Sequence, residues 1–123
     1  NRKGGVIPAF GATVVCVDAQ ANGNVGGTGL ASDFNYGGFV AISNDSDTFL
    51  TSLTCYNCTA ENNYAGFLST GGQSRLVTID ATVTSNTRGD YVNETWSANT
   101  DSGVITVYGD GVFSGIDGSK INV

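Results

Sequence analysis

Asn35-Tyr-Gly-Gly-Phe-Val40 returns 28 residues later as Asn63-Tyr-Ala-Gly-Phe-Leu68, and Thr87-Arg-Gly-Asp-Tyr-Val92 follows after a further 24. Each copy runs from a turn-forming stretch into an aromatic residue (Phe39, Phe67, Tyr91) and then an aliphatic one. A second family of segments lies between the copies: 13–18 (TVVCVD), 52–57 (SLTCYN), 76–81 (LVTIDA) and 104–109 (VITVYG). Alternation within these segments marks strands with one buried face. It places Val14, Leu53, Val77 and Ile105 in one inward column and Cys16, Cys55, Ile79 and Val107 in the next. Thr54, Thr78 and Thr106 are then expected to face outward.

The two families interleave at a steady step. Phe39 to Leu53, Leu53 to Phe67, Val77 to Tyr91 and Tyr91 to Ile105 are each 14 residues, and only Phe67 to Val77 is shorter, at 10. Val14 to Phe39 is 25 residues, and the Gly- and Asn-rich stretch 20–32 inside it reads as an inserted loop. Turn-forming clusters separate the strands, at Asn44-Asp-Ser-Asp47, Thr70-Gly-Gly-Gln73 and Asn99-Thr-Asp-Ser-Gly103 among others. The reading is one all-β domain over 1–123, with repeats near 11–45, 50–70, 75–96 and 103–123. Because the copies match in residue type as well as spacing, we expect a short parallel β-helix or solenoid of three to four coils. The alternative is an antiparallel β-sandwich or jelly roll, which eight or so evenly spaced short strands also suit.

Residues 53–67 (LTCYNCTAENNYAGF) and 76–92 (LVTIDATVTSNTRGDYV) resemble coils of right-handed parallel β-helix proteins, among them phage tailspikes and fibres, secreted adhesins and pectate-lyase-like enzymes. The likeness spans about 33–116 and lies in a pattern of strand, Asn-rich turn and strand. It implies a fold and carries no activity across.

Composition narrows the function. Gly is 18 of 123 residues, with one Pro and no His or Met, as short strands and tight turns require. Five basic residues against eleven acidic give a net charge of −6, and no Lys or Arg cluster is present to neutralise phosphates, so nucleic acid is not an expected partner. No apolar run reaches the 18 residues of a membrane span. The start, Asn1-Arg-Lys-Gly-Gly5, has no apolar signal stretch and no initiator Met, which reads as a processed chain or a piece of a longer one.

Candidate sites are few. Cys55-Tyr-Asn-Cys58 has the spacing of a redox pair or half a metal site, yet only Cys16 and no His could complete a zinc site. Buried structural thiols, or one local disulfide, are the simpler reading, and no metal or other cofactor is expected. Arg88-Gly89-Asp90 spells an adhesion tripeptide, but these residues also fill the turn position held by Gly and Ala in the other copies. Three glycosylation sequons, at Asn44, Asn57 and Asn93, match the number that 12 Asn and 25 Ser and Thr produce by chance. Asp18 and Asp80 end equivalent strands with Asn57 between them, and no second carboxylate or base converges on either, so no catalysis is expected. The Gly-rich run 22–29 (NGNVGGTG) lacks the Lys and helix of a phosphate loop. Tyr36, Tyr64, Arg88, Gly89, Asp90 and Trp96 are the candidate surface-recognition residues, with Tyr56 and Tyr108 as further aromatics for an outer face.

These readings combine into a non-catalytic structural protein: a homo-oligomeric virion surface component such as a fibre, spike or decoration protein. A reducing site of assembly accommodates the odd cysteine. A secreted adhesin or extracellular filament subunit is the second reading, and a carbohydrate-binding or carbohydrate-active module the third. The expected location is the virion surface or the extracellular space. Expected partners are further copies, as a trimer or an end-to-end stack, and a capsid or cell-surface glycan.

Overall fold

The structure is a computed structural model that describes residues 5–24, 37–94, 102–109, 116–117 and 121–122. Among these the chain is all-β, without a helix. The strands are β1 (Thr13–Val17), β2 (Gln20–Asn22), β3 (Gly37–Ile42), β4 (Thr51–Tyr56), β5 (Thr59–Glu61), β6 (Ala65–Thr70), β7 (Ser74–Ile79), β8 (Thr82–Thr84), β9 (Gly89–Glu94), β10 (Val104–Tyr108), β11 (Ile116–Asp117) and β12 (Ile121–Asn122).

They form three sheets: β1-β4-β7-β10-β12, β11-β9-β6-β3 and β2-β5-β8. Every named strand pair is parallel. The hairpin pairing that an antiparallel sandwich requires is absent from the described strands. The chain visits the four-, five- and three-stranded sheets in turn, and each strand pairs with the equivalent strand of the next circuit. The N-terminal segment joins in through single parallel bridges, Val6 to Phe39 and Ala9 to Ile42.

Equivalent residues therefore stack. Phe39, Phe67 and Tyr91 are in register in β3, β6 and β9. Their rings lie nearly parallel, with centroids 5.0 and 5.5 Å apart and planes 12° and 13° from one another. Each such pair contributes about 0.5–1.5 kcal/mol beyond its buried area. Leu53, Cys55, Leu76, Ile105 and Val107 close the same core from the five-stranded sheet, and Ala21, Cys58 and Ala60 from the third side. The second face of the four-stranded sheet is buried too, with Val40, Ile42, Ala65, Leu68 and Val92 forming a separate cluster against Ile7 and Ala9. Strands covered on both faces read as continuous apolar runs, which is what GGFVAI and AGFLST show.

Three sequence expectations change. First, β7 is shifted by one residue. Leu53 pairs with Leu76, not Val77, and Cys55 pairs with Thr78, not Ile79. Leu76 and Thr78 point inward, while Val77 and Ile79 are half-buried on the outer side. The tight turn before β7 sets this parity. Gly71 has φ +87°, and a Cβ there would strike the Ser43 carbonyl. Ser74 N donates to Gly71 O at 3.1 Å, and the Ser74 hydroxyl lies inside, 2.7 Å from that of Ser69. One extra residue between β8 and β9 (85–88 against 62–64) returns Tyr91 to register and conceals the slip, so the sequence step still counts 14. Second, the stretch 20–32 is not all loop: Gln20–Asn22 is strand β2, paired with β5, and residues 25–32 lie outside the described residues. Third, each circuit has three strands rather than two. The third, QAN, TAE or TVT, is three residues long, too short for alternation to register.

The parity of β7 can be tested by truncation. Leu76→Ala is expected to cost about 2–5 kcal/mol, as a fully buried Leu does. Val77→Ala is expected to cost less than about 1 kcal/mol. Urea denaturation of both variants decides it, and the reverse ranking returns Val77 to the core.

Candidate functional site

Corners of the circuit are built from residues that tolerate positive φ. Between the five- and three-stranded sheets each circuit turns on one such residue: Asp18 (φ 54°), Asn57 (52°), Asp80 (55°) and Gly109 (125°). Asp and Asn enter this region more readily than other side chains do, and Gly enters freely. Asn57 Nδ2 donates to Asp18 Oδ1 at 2.8 Å, so the neutral residue between the two carboxylates is already engaged. Asp18 and Asp80 thus share a column, two strands apart.

The opposite corner holds a ladder of asparagines. Asn24 donates its backbone N and Nδ2 to Asn63 Oδ1, at 2.9 and 2.8 Å. Asn63 donates the same two groups to Asn86 Oδ1, at 3.1 and 3.2 Å. Asn63 Nδ2 also reaches Ala21 O, and Asn86 Nδ2 reaches Ala60 O and Asp90 Oδ1. Asn24 and Asn63 are buried, and each side-chain amide here replaces water for the backbone of a turn.

This ladder decides the fate of the predicted recognition residues. Tyr64 and Arg88 occupy equivalent places in successive turns, and Arg88 N donates to Tyr64 O at 2.8 Å. Gly89 begins β9, in register with Ala65. Asp90 is only 9% exposed, and its carboxylate accepts from Asn86. Arg88-Gly89-Asp90 therefore serves the turn into β9 and does not protrude. Tyr36 and Trp96 lie outside the described residues.

A different surface stands out. The described large apolar residues that are exposed are Phe10, Val15, Val17, Phe49, Leu50, Tyr56 and Tyr108. All seven lie on the outer face of the five-stranded sheet or in the turns leading into it. Register aligns them into columns. Val15, Thr54, Val77 and Thr106 form one, and Val17, Tyr56, Ile79 and Tyr108 the next. Val17 is 63% and Tyr108 57% exposed. The charged side chain beside these columns, Arg75, turns back on its own turn, donating to Gly72 O and Ser74 O at 2.8 and 2.9 Å. The face is flat, apolar and edged by Asp18 and Asp80. The sequence singled out Tyr56 and Tyr108, but reading Val77 and Ile79 as inward split the rest of the surface.

Three free thiols lie behind it. Cys16 and Cys55 are in register as predicted, with Cys55 fully buried and Cys16 half-buried because β1 is the edge strand. Cys58 is buried and donates to Tyr56 O at 3.5 Å and Cys16 O at 3.7 Å. Burial, then the neighbouring Cys58 and Cys16, push the Cys55 thiol far above its ordinary value of 9.0. Burial, then Cys58, also raise Cys16, with Cys55 opposing. Burial likewise raises the Tyr91 phenol, and the Thr78 hydroxyl beside it works the other way. Among the described residues no group of three or more His, Cys, Asp or Glu is arranged to hold a metal ion.

No protein-family model matches this chain, and no curated protein or solved structure matches it significantly.

The ladder's weight is measurable. Asn63→Ala strands two donors of Asn24 and removes two of its own, in a buried corner. A loss of about 2–4 kcal/mol is expected, since unsatisfied buried groups cost about 1–3 kcal/mol each and some rehydrate. Asn57→Ala, at an exposed corner, is expected to cost about 1 kcal/mol or less. Equal losses in chemical denaturation would remove the ladder's special role.

Proposed function

We propose that this chain is a parallel β-helix module and a non-catalytic structural building block, the homo-oligomeric component of a virion surface fibre or spike. The observation that carries the reading is the gathering of all seven exposed large apolar residues on one sheet and its approaches. A contiguous exposed apolar patch on a small protein marks a surface that other molecules cover. Strand β1 adds to this. It is the edge of the five-stranded sheet, it carries no Lys or Pro to blunt it, and Val15 and Val17 are exposed on it. Such an edge is prone to pair with further strands unless covered. Copies of the same chain meet both demands: a flat face covers a flat face, and a standard interface removes about 800 Å² from each partner. The virion setting is supported by three unpaired cysteines in the core, a pattern suited to folding in a reducing compartment.

The exposed Tyr56 and Tyr108 favour one second reading, a glycan platform on the same face, as a secreted adhesin or carbohydrate-binding module would carry.

Light scattering of the intact chain separates the readings. The proposal expects a trimer or larger assembly at micromolar concentration, and expects Val17→Asp with Tyr108→Asp to yield a folded monomer. A wild-type monomer with an unchanged mass in the double variant refutes self-association through this face. Retention on a glycan array, lost in Tyr108→Ala, would then favour the platform.

A further inference from the structure

We propose that Cys16, Cys55 and Cys58 form an oxidation-responsive thiol cluster in which Cys16 and Cys55 join as a disulfide, tying edge strand β1 to β4. The inference stands apart from self-association and rests on the interior.

Register supplies the geometry. Cys16 and Cys55 are direct partners in adjacent parallel strands. Neighbouring strands lie about 4.8 Å apart, inside the Cα separation of about 4.4–6.8 Å that a disulfide spans. Both side chains belong to the same packed core, and Cys58 touches it from the following corner. β1 has a sheet neighbour on one side only, so it can make the small approach that bonding requires without disturbing a second ladder.

Exposure supplies the order of events. Cys55 and Cys58 are fully buried, and Cys16 is the thiol that solvent reaches. Cys58 is further occupied, since its S–H points at two backbone carbonyls. A small-molecule disulfide therefore meets Cys16 first. The Cys16 thiolate attacks one of its sulfurs, the small S–S bond breaks, and one small thiol leaves with the proton that Cys16 gave up. The Cys55 thiolate then attacks the Cys16 sulfur of the mixed disulfide, and the second small thiol leaves with the Cys55 proton. Two protein thiols are oxidised and one small disulfide is reduced to two thiols. Because burial holds both protein thiols in their protonated form, the exchange is slow near neutral pH and quickens as pH rises.

The consequence is structural. The bond closes the chain between Cys16 and Cys55, a span that includes β2 and β3, and fixes the one edge that carries exposed Val15 and Val17. A chain folded with reduced thiols would thus be locked after transfer to an oxidising medium.

The test exposes the folded full-length chain to oxidised glutathione, quenches with acid, and counts thiols in denaturant alongside peptide mapping. A urea-unfolded sample confirms that the reagent oxidises accessible thiols. The proposal expects the folded chain to fall from three thiols to one, with a Cys16–Cys55 peptide and no retained glutathione. Cys58→Ser is expected to lose its two remaining thiols as the wild type does, and Cys16→Ser to keep both of its own. Circular dichroism establishes that each variant is folded, and the wild-type map stands alone if one is not. Three thiols persisting in the folded wild type, a Cys55–Cys58 peptide, or pair loss in Cys16→Ser would overturn the proposal.

Discussion

Equivalent residues of successive circuits sit directly over one another, and nearly everything else in this structure follows from that constraint. Parallel pairing in register makes each residue the neighbour of its counterpart about 4.8 Å away. A side chain can occupy a column only if it tolerates a near copy of itself above and below. Flat rings do so, as Phe39, Phe67 and Tyr91 show. Amides do so by donating to the next oxygen in line, as in Asn24, Asn63 and Asn86. Charges do not, and where Asp18 and Asp80 share a column a neutral Asn57 separates them. Small thiols fit as well, which is why three cysteines gather in one part of the core without a disulfide.

The same constraint explains what was legible in the sequence. Columns that repeat residue types announce themselves, so the aromatic stack, the Cys16–Cys55 pair and the Asp18–Asn57–Asp80 corner were all readable in advance. Strand parity was readable only where the turn length stays constant. Between β6 and β7 the turn shortens, and between β8 and β9 it gains a residue. The two changes offset each other in the count from Val77 to Tyr91, and the alternation of LVTI fits either phase. Only the Gly71 turn, with Ser74 hydrogen-bonded inside, selects Leu76 and Thr78 as the inward pair. The asparagine ladder was hidden for another reason. Asn24 sits in a Gly- and Asn-rich stretch that reads as loop, and Asn63 and Asn86 look like ordinary turn residues until their partners are known.

That parity matters for function as well as packing. With Val77 and Ile79 turned outward, the five-stranded sheet presents a continuous apolar face beside Tyr56 and Tyr108, and Arg75 is drawn away from it. A sheet of this kind carries no concentration of acid, base or nucleophile among its described residues. Its chemistry is that of a surface to be covered, and the proposed structural role rests on this. The adhesion tripeptide illustrates the converse: Arg88-Gly89-Asp90 looks exposed as a motif, yet the ladder takes Asp90 into the turn.

The in-register stack itself is open to direct measurement by proton–proton nuclear Overhauser contacts between aromatic rings in solution. The account predicts strong ring-to-ring contacts from Phe39 to Phe67 and from Phe67 to Tyr91, and none from Phe39 to Tyr91, which are separated by the intervening ring. Direct Phe39–Tyr91 contacts, or a Phe67 ring that touches neither of the others, would contradict it.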